Sequence, residues 1–180
     1  YRDHALDTLP RDHAGCGEVH YRNQTGRNDL RILKATHDAD NLAFYARTAA
    51  EISPCTDPNW MWLLIGLPDS TAPDWEGFHF LVNRQVSPMH TSVEACAGGW
   101  NWTPVETIRY HVEGNQLHLS IPRAFLGIQG QGFTVEFKWI DNTQQPGNIL
   151  DTYLHGDTAP EGRFRYRYEA GSRFDAGPER

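Results

Sequence analysis

The chain has 180 residues, a formal net charge of −7, 39% hydrophobic residues and 22% charged residues. This composition is that of a single globular domain with a real core, and no apolar run approaches the roughly 20 residues of a membrane helix. The acidic balance argues against nucleic acid as the main partner, because phosphate binding requires a basic face.

The first half of the chain predicts a lead-in, a hairpin and a central strand. Residues 1–17 are polar and lack periodicity, so we expect an irregular segment, with a short edge strand at 18–22. Residues 29–37 and 42–49 are predicted strands joined by an Asp-Ala-Asp-Asn turn. Residues 60–67 are apolar on both faces, which predicts a central strand covered on both sides.

The stretch WEGFHFLVNR at 75–84 alternates between the two faces of a predicted strand. One face is apolar and carries Phe78, Phe80 and Val82. The other face carries an aromatic ring and two hydrogen-bonding groups, from Trp75, His79 and Asn83. A ring with amide and imidazole neighbours suits a sugar ligand, and it equally suits the outer face of an ordinary sandwich strand.

The second half of the chain predicts a hairpin, a helical turn and two alternating strands. These elements lie at 107–113 with 116–121, at 122–126, at 133–139 and at 163–168. Residues 170–180 carry no pattern and are expected to be a flexible tail. Roughly nine or ten short strands, with at most one short helix, predict an all-β fold. We expect an antiparallel two-sheet β-sandwich of the jelly-roll type, as one domain over 1–180.

Several short phrases follow one another along the chain. They read YRNQTGRND at 21–29, TDPNWM at 56–61, GWNW at 99–102, IPR at 121–123, FKWIDN at 137–142 and GDTAP at 156–160, together with the 75–84 stretch. With this set the chain resembles the β-sandwich of carbohydrate-binding module family 9 and the related DOMON-like domains, over about residues 18 to 168. In the founding family two Trp rings grip a terminal sugar, and some members hold structural calcium.

The resemblance implies a non-catalytic carbohydrate-binding module. Such modules are C-terminal accessory domains of larger bacterial polysaccharide-degrading enzymes. The implied partners are an oligo- or polysaccharide and the catalytic domain of the same parent chain, with no nucleic acid and no membrane. The module is expected to be a monomer, and its implied location is extracellular, periplasmic or at the cell surface.

The Trp residues divide by their surroundings. Trp60, Trp62 and Trp139 are expected to be core residues, because a buried Trp contributes a large apolar area. The other three lie beside loops rich in Gly or Pro, where rings are more often exposed, although core burial is the alternative for them too. The predicted carbohydrate-binding residues, which would line one cleft, are Trp75, His79, Asn83, Trp100 and Trp102.

Acidic residues in loops and near strand ends are candidates for a calcium site, because calcium takes six to eight oxygen ligands. The candidate ligands are Asp141 with Asp157, or Asp69 with Asp74. The alternative is that these residues only form turns, since Asp is a common turn former. Structural Ca²⁺ is the one cofactor that the sequence suggests.

Three other functions stay open on the sequence. The chain could be a structural accessory domain without its own ligand, or a glycan-active enzyme whose carboxylate pair forms only in three dimensions. It could also be a haem-binding relative, but adjacent Met89 and His90 would point opposite ways on a strand. No GxSxG, P-loop or Rossmann motif occurs, and no catalytic residue is predicted. Cys55 and Cys96 could form a disulfide.

Overall fold

Nearly all of the regular structure is β-strand, which confirms the predicted all-β class. The computed structural model describes residues 1–15, 17–18 and 20–171. Its strands are β1 (Arg11–Ala14), β2 (His20–Asn23), β3 (Leu30–His37), β4 (Asn41–Thr48), β5 (Trp62–Gly66), β6 (Phe80–Val86), β7 (His90–Cys96), β8 (Trp102–Glu113), β9 (Gln116–Pro122), β10 (Phe133–Asp141), β11 (Asp157–Ala159) and β12 (Tyr166–Ala170). Two 3₁₀ turns, Arg123–Leu126 and Ile149–Tyr153, are the helical segments within these residues. The first was predicted and the second was not.

The strands form two antiparallel layers that share β8. Neighbouring strands follow the order β11–β10–β5–β6–β7–β8–β9–β4–β3, and β12 also pairs with β10. The first part of β8 pairs with β7 as far as Arg109, whereas Tyr110 to Glu113 pair with β9. One layer is therefore β3, β4, β9 and the end of β8, and the other runs from the start of β8 to β10 and its two partners.

The N-terminal segment is more ordered than predicted. β1 pairs with β2 as a separate two-stranded sheet, so the expectation of an irregular lead-in over 1–17 was wrong at residues 11–14. The predicted edge strand at 18–22 corresponds to β2. The flexible tail was predicted over 170–180. Its first residue, Ala170, is the last residue of β12, and residues 172–180 lie outside the described part of the chain.

Both predicted hairpins are present. The β3–β4 turn is fixed by Asp38, whose Oδ1 accepts hydrogen bonds from the amides of Asp40 at 2.8 Å and Asn41 at 2.7 Å. The β8–β9 turn uses Gly114, whose φ of 58° lies in the left-handed region that glycine adopts without strain. The residues of these two turns thus set the strand register in the layer formed by β3, β4, β9 and the end of β8.

The main core lies between the two layers. Phe44 of β4 packs against Phe137 of β10, with ring centroids 5.3 Å apart, and Trp60 and Trp139 are buried in the same cluster, as predicted. A second apolar cluster includes Trp62 and Leu64 of β5. The prediction that the strand at 60–67 is covered on both faces is therefore confirmed. No helix in the described part of the chain has both the length and the apolar character needed to cross a bilayer.

Candidate functional site

The three Trp rings predicted to contact sugar meet in the second apolar cluster. Trp100 lies at its centre, with its ring centroid 4.5 Å from that of Trp75, 5.4 Å from that of Trp102 and 5.7 Å from that of Trp62. Trp75 is only 7% exposed and Trp102 8% exposed, and Trp100 is half-buried. These rings pack on one another and on the sheet, so they do not line the open cleft that was predicted.

A tight turn explains why the periodicity of residues 75–84 was misleading. Trp75 and Phe78 exchange backbone hydrogen bonds of 2.9 and 2.8 Å, and Glu76 and Gly77 between them have positive φ angles of 52° and 79°. The strand therefore starts only at Phe80. Phe78 stacks beside Trp75, with centroids 6.3 Å apart, instead of lying on the opposite face.

The two predicted polar ligands of the sugar each bind a different backbone group. His79 is buried, and its Nδ1 accepts a hydrogen bond from the amide of Leu67 at 3.1 Å. Burial lowers the pKa of this imidazole, and the ring lines a groove of about 660 Å³. Asn83 has a φ of 69° at an irregularity of β6, and its buried side chain donates to the carbonyl of Met61 at 2.6 Å. Its Nδ2 thus holds the backbone at Met61, and its Oδ1 is buried without a hydrogen-bond donor in the described structure.

The carboxylate of Asp141 is committed to an arginine. Its two oxygens accept hydrogen bonds from Arg27 Nε at 2.8 Å and Nη2 at 2.9 Å, and Oδ1 also accepts from the amide of Met61 at 2.9 Å. Burial raises the pKa of this carboxyl, and the arginine opposes that shift. Asp141 is therefore part of a buried ion pair, and its prediction as a calcium ligand is corrected.

The second predicted metal pair lies on the surface. Asp69 and Asp74 are exposed, and Asp74 Oδ1 accepts a hydrogen bond from the amide of Gly77 at 2.6 Å. Within the described residues neither belongs to a close group of potential metal ligands. The turn-forming alternative thus accounts for Asp74, and this pair does not fit a calcium ion.

Asp157 lies in an acidic cluster that the sequence did not indicate. Carboxylate oxygens of Asp3, Asp7 and Asp157 lie within 4.8 Å of one another. Asp157 Oδ2 accepts from the amide of Leu30 at 2.7 Å, whereas both oxygens of Asp7 and one of Asp3 are buried without a hydrogen-bond donor in the described structure. Burial first, and mutual repulsion second, raise the pKa of Asp3 to about 7 and that of Asp157 well above its usual range.

This acidic cluster can hold protons or a hard cation. Burial also raises the pKa of Asp7 to about 6. The nearby Lys138 does not neutralise the cluster through a hydrogen bond, because its Nζ donates to the carbonyls of Pro160 and Phe164. A cavity of about 280 Å³ reaches Asp7 and Asp157, and carboxylate oxygens are the ligands that calcium prefers. Of the four predicted metal ligands, Asp157 alone lies in a group that fits such an ion.

A concave surface larger than these two cavities lies elsewhere, over β3, β4, β8 and β9. It is a groove of about 1210 Å³, whose lining also includes segments 52–55 and 88–89. Four lining residues on successive strands are side-by-side partners in the strand register: Lys34, Tyr45, His118 and His111. We call this set the cross-strand row.

Tyr45 is the ring at the middle of the cross-strand row. Lys34 Nζ lies 5.1 Å from its ring centroid, the His118 ring packs edge-on at 4.7 Å, and the hydroxyl donates to Gln116 Oε1 at 3.0 Å. The ring is half-exposed, and His118 and Lys34 are exposed. The groove thus offers a half-exposed aromatic ring beside several hydrogen-bonding groups.

The neighbouring row is made of small side chains, which keeps the groove open. Thr36 pairs with Ala43, and Ala43 pairs with Ser120. At one end, Tyr110 packs against Trp60 with centroids 5.6 Å apart, and the adjacent Met89 is 65% exposed. Cys55 also lines this end and is a free thiol, as is Cys96, so the two do not form a disulfide.

Sequence reasoning placed the groove residues on strands but did not assign them a function. The available signal was the alternation in residues 116–121, where Leu117, Leu119 and Ile121 are buried and the intervening side chains lie on the other face. No single residue marks this face as concave, because the curvature depends on four strands together.

Comparisons with family models, with curated proteins and with solved structures gave no match for this chain.

Proposed function

We propose that this chain is a non-catalytic carbohydrate-binding module that holds an oligo- or polysaccharide in the groove over β3, β4, β9 and β8. The observation that carries this proposal is the half-exposed Tyr45 ring, flanked by Lys34, His118 and Gln116 at the middle of the groove. An aromatic face stacks on the apolar face of a sugar, while the neighbouring polar groups bind its hydroxyls.

The resemblance to carbohydrate-binding module family 9 supports the same function but a different surface. In this proposal the chain is an extracellular, periplasmic or cell-surface accessory domain of a bacterial polysaccharide-degrading enzyme, and its second partner is the catalytic domain of that enzyme. The buried Trp cluster serves stability, and the sheet face serves binding. A groove that crosses four strands suits the length of a chain more than a terminal sugar.

The expected affinity follows from one ring and a few hydrogen bonds. A stacked ring contributes on the order of 1–2 kcal/mol, and each hydrogen bond contributes about 1 kcal/mol net. After the cost of association, such a site binds in the micromolar to millimolar range.

Titration calorimetry of the whole chain against a panel of neutral and charged oligosaccharides tests the proposal. We expect saturable binding to at least one glycan and its loss in Tyr45→Ala. Tyr21→Ala is the matched control, because Tyr21 lies on β2 and does not line the groove. Unchanged affinity in Tyr45→Ala, or no binding across the panel, would overturn the proposal. Release of new reducing ends during incubation would place the chain among enzymes instead.

A further inference from the structure

The charged residues that line the large groove have one sign. Its lining includes Lys34, Arg109, His111 and His118, and no lining residue in the described chain is Asp or Glu. The whole protein has 23 acidic residues and a net charge of −7. The groove is therefore a locally basic surface on an acidic protein.

The two permanent cations of the groove lack protein counter-ions. Within the described residues, the side chains of Lys34 and Arg109 form neither an ion pair nor a hydrogen bond, although the lysine ammonium lies over the Tyr45 ring. Several arginines elsewhere in the chain are paired with carboxylates; Arg84, for example, contacts Glu94 at 2.5 Å. The cations that remain available to a ligand thus include two in the groove.

The positions of these cations set the size of the ligand that both could reach. Lys34 lies on β3, and Arg109 lies on β8 at the point where this strand passes from one layer to the other. Three strand spacings of about 4.8 Å separate the two strands by roughly 14 Å. A ligand that contacts both is an oligosaccharide that crosses the strands, with the Tyr45 ring between its charged ends.

We propose that the glycan bound in the groove is anionic, carrying carboxylate or sulfate groups that pair with Lys34 and Arg109. This inference rests on the proposed glycan-binding function and names its ligand class. A guanidinium binds a carboxylate or sulfate through two parallel hydrogen bonds, and an ammonium acts as a point charge. His118 on β9, and His111 two residues from Arg109 on β8, add hydrogen-bonding groups for hydroxyls.

Three probes of equal length separate the possible ligands: a uronic-acid oligosaccharide, a sulfated oligosaccharide and a neutral oligosaccharide. We expect at least one anionic probe to bind about 10-fold more tightly than the neutral probe, which equals about 1.4 kcal/mol. This advantage should shrink as salt rises from about 0.1 M to about 1 M, where the screening length falls to about 3 Å. The tighter of the two anionic probes identifies carboxylate or sulfate as the recognised group.

Charge-neutralising variants show which cations cause the tighter binding of the anionic probe. Arg109→Gln should weaken the anionic probe several-fold and leave the neutral probe unchanged. Lys34→Gln should weaken both probes, and the anionic probe more, because Lys34 also flanks the Tyr45 ring. Arg47→Gln is the matched control, because Arg47 is an exposed cation on the same layer that does not line the groove. Equal binding of neutral and anionic probes, without salt dependence, would overturn this inference and leave the proposed function standing. Binding of no probe would overturn both.

Discussion

Replacing Trp75 by alanine tests whether the Trp cluster is core or ligand site. The side chain is 7% exposed and packs edge-on against Trp100 at 4.5 Å. A buried Trp removes about 150–250 Å² from water, which at about 25 cal/mol per Å² is worth roughly 4–6 kcal/mol. Measured Trp→Ala costs in cores are about 3–5 kcal/mol, so we expect a loss of about 4 kcal/mol in the free energy of unfolding.

Urea denaturation followed by circular dichroism measures this loss. In a domain of this size 1 kcal/mol shifts the melting temperature by about 2–4 °C, so thermal melts should show a drop of about 8–16 °C. Tyr45→Ala is the contrasting variant: its ring is half-exposed, and we expect it to cost less than about 1 kcal/mol. A Trp75→Ala protein as stable as the wild type that no longer binds glycan would refute the burial argument and return Trp75 to the binding site.

Two further predictions concern buried charges. Arg27→Leu leaves the Asp141 carboxylate buried without its counter-ion, which should lower the free energy of unfolding in urea by about 3–5 kcal/mol. Adding Asp141→Asn should recover part of this loss. A loss below about 1 kcal/mol would show that the pair is not buried in solution. In chelator, the melting temperature should fall as the pH rises from about 5 to about 7. Over this range Asp3, with a pKa of about 7, and Asp7, with a pKa of about 6, lose protons that the unfolded chain already loses near pH 4. Above about pH 7 the pKa of buried Lys138, lowered to about 7, acts in the opposite direction. Asp7→Asn should flatten this fall. Millimolar calcium should restore the melting temperature at pH 7 if the acidic cluster binds a cation, and no response would assign the cluster to protons alone.

The fold could be predicted because its signals are local. Alternation and turn residues identified both hairpins, and the two-sided apolar pattern of residues 60–67 identified β5 as a central strand. The strands that were missed, including β7 and β11, lack that signal: β7 reads HTSVEAC, in which buried polar side chains replace apolar ones. Buried Glu94 illustrates this, because its pairing with Arg84 depends on a partner strand and not on periodicity.

The candidate site could not be predicted because it depends on what covers each sheet face. β5 needs an apolar cover on its outer side, and the Trp rings near loops supply it. That requirement was already implied by the sequence, since a strand that is apolar on both faces needs partners on both sides. Tyr45, in contrast, has no local mark that separates it from a solvated strand residue. It becomes a candidate only when four strands place it beside Lys34 and His118.

The long strand β8 belongs to both layers, and this affects how the protein unfolds. Neither layer can detach while the other persists unless β8 breaks near Tyr110, so we expect loss of structure in one concerted event. Other strands pair across a long stretch of chain, as when Leu63 of β5 pairs with Trp139 of β10, which slows the search for the native pairing. A single proteolytic cut in the middle of β8 should therefore dismantle both the Trp cluster at one end of the strand and the groove at the other.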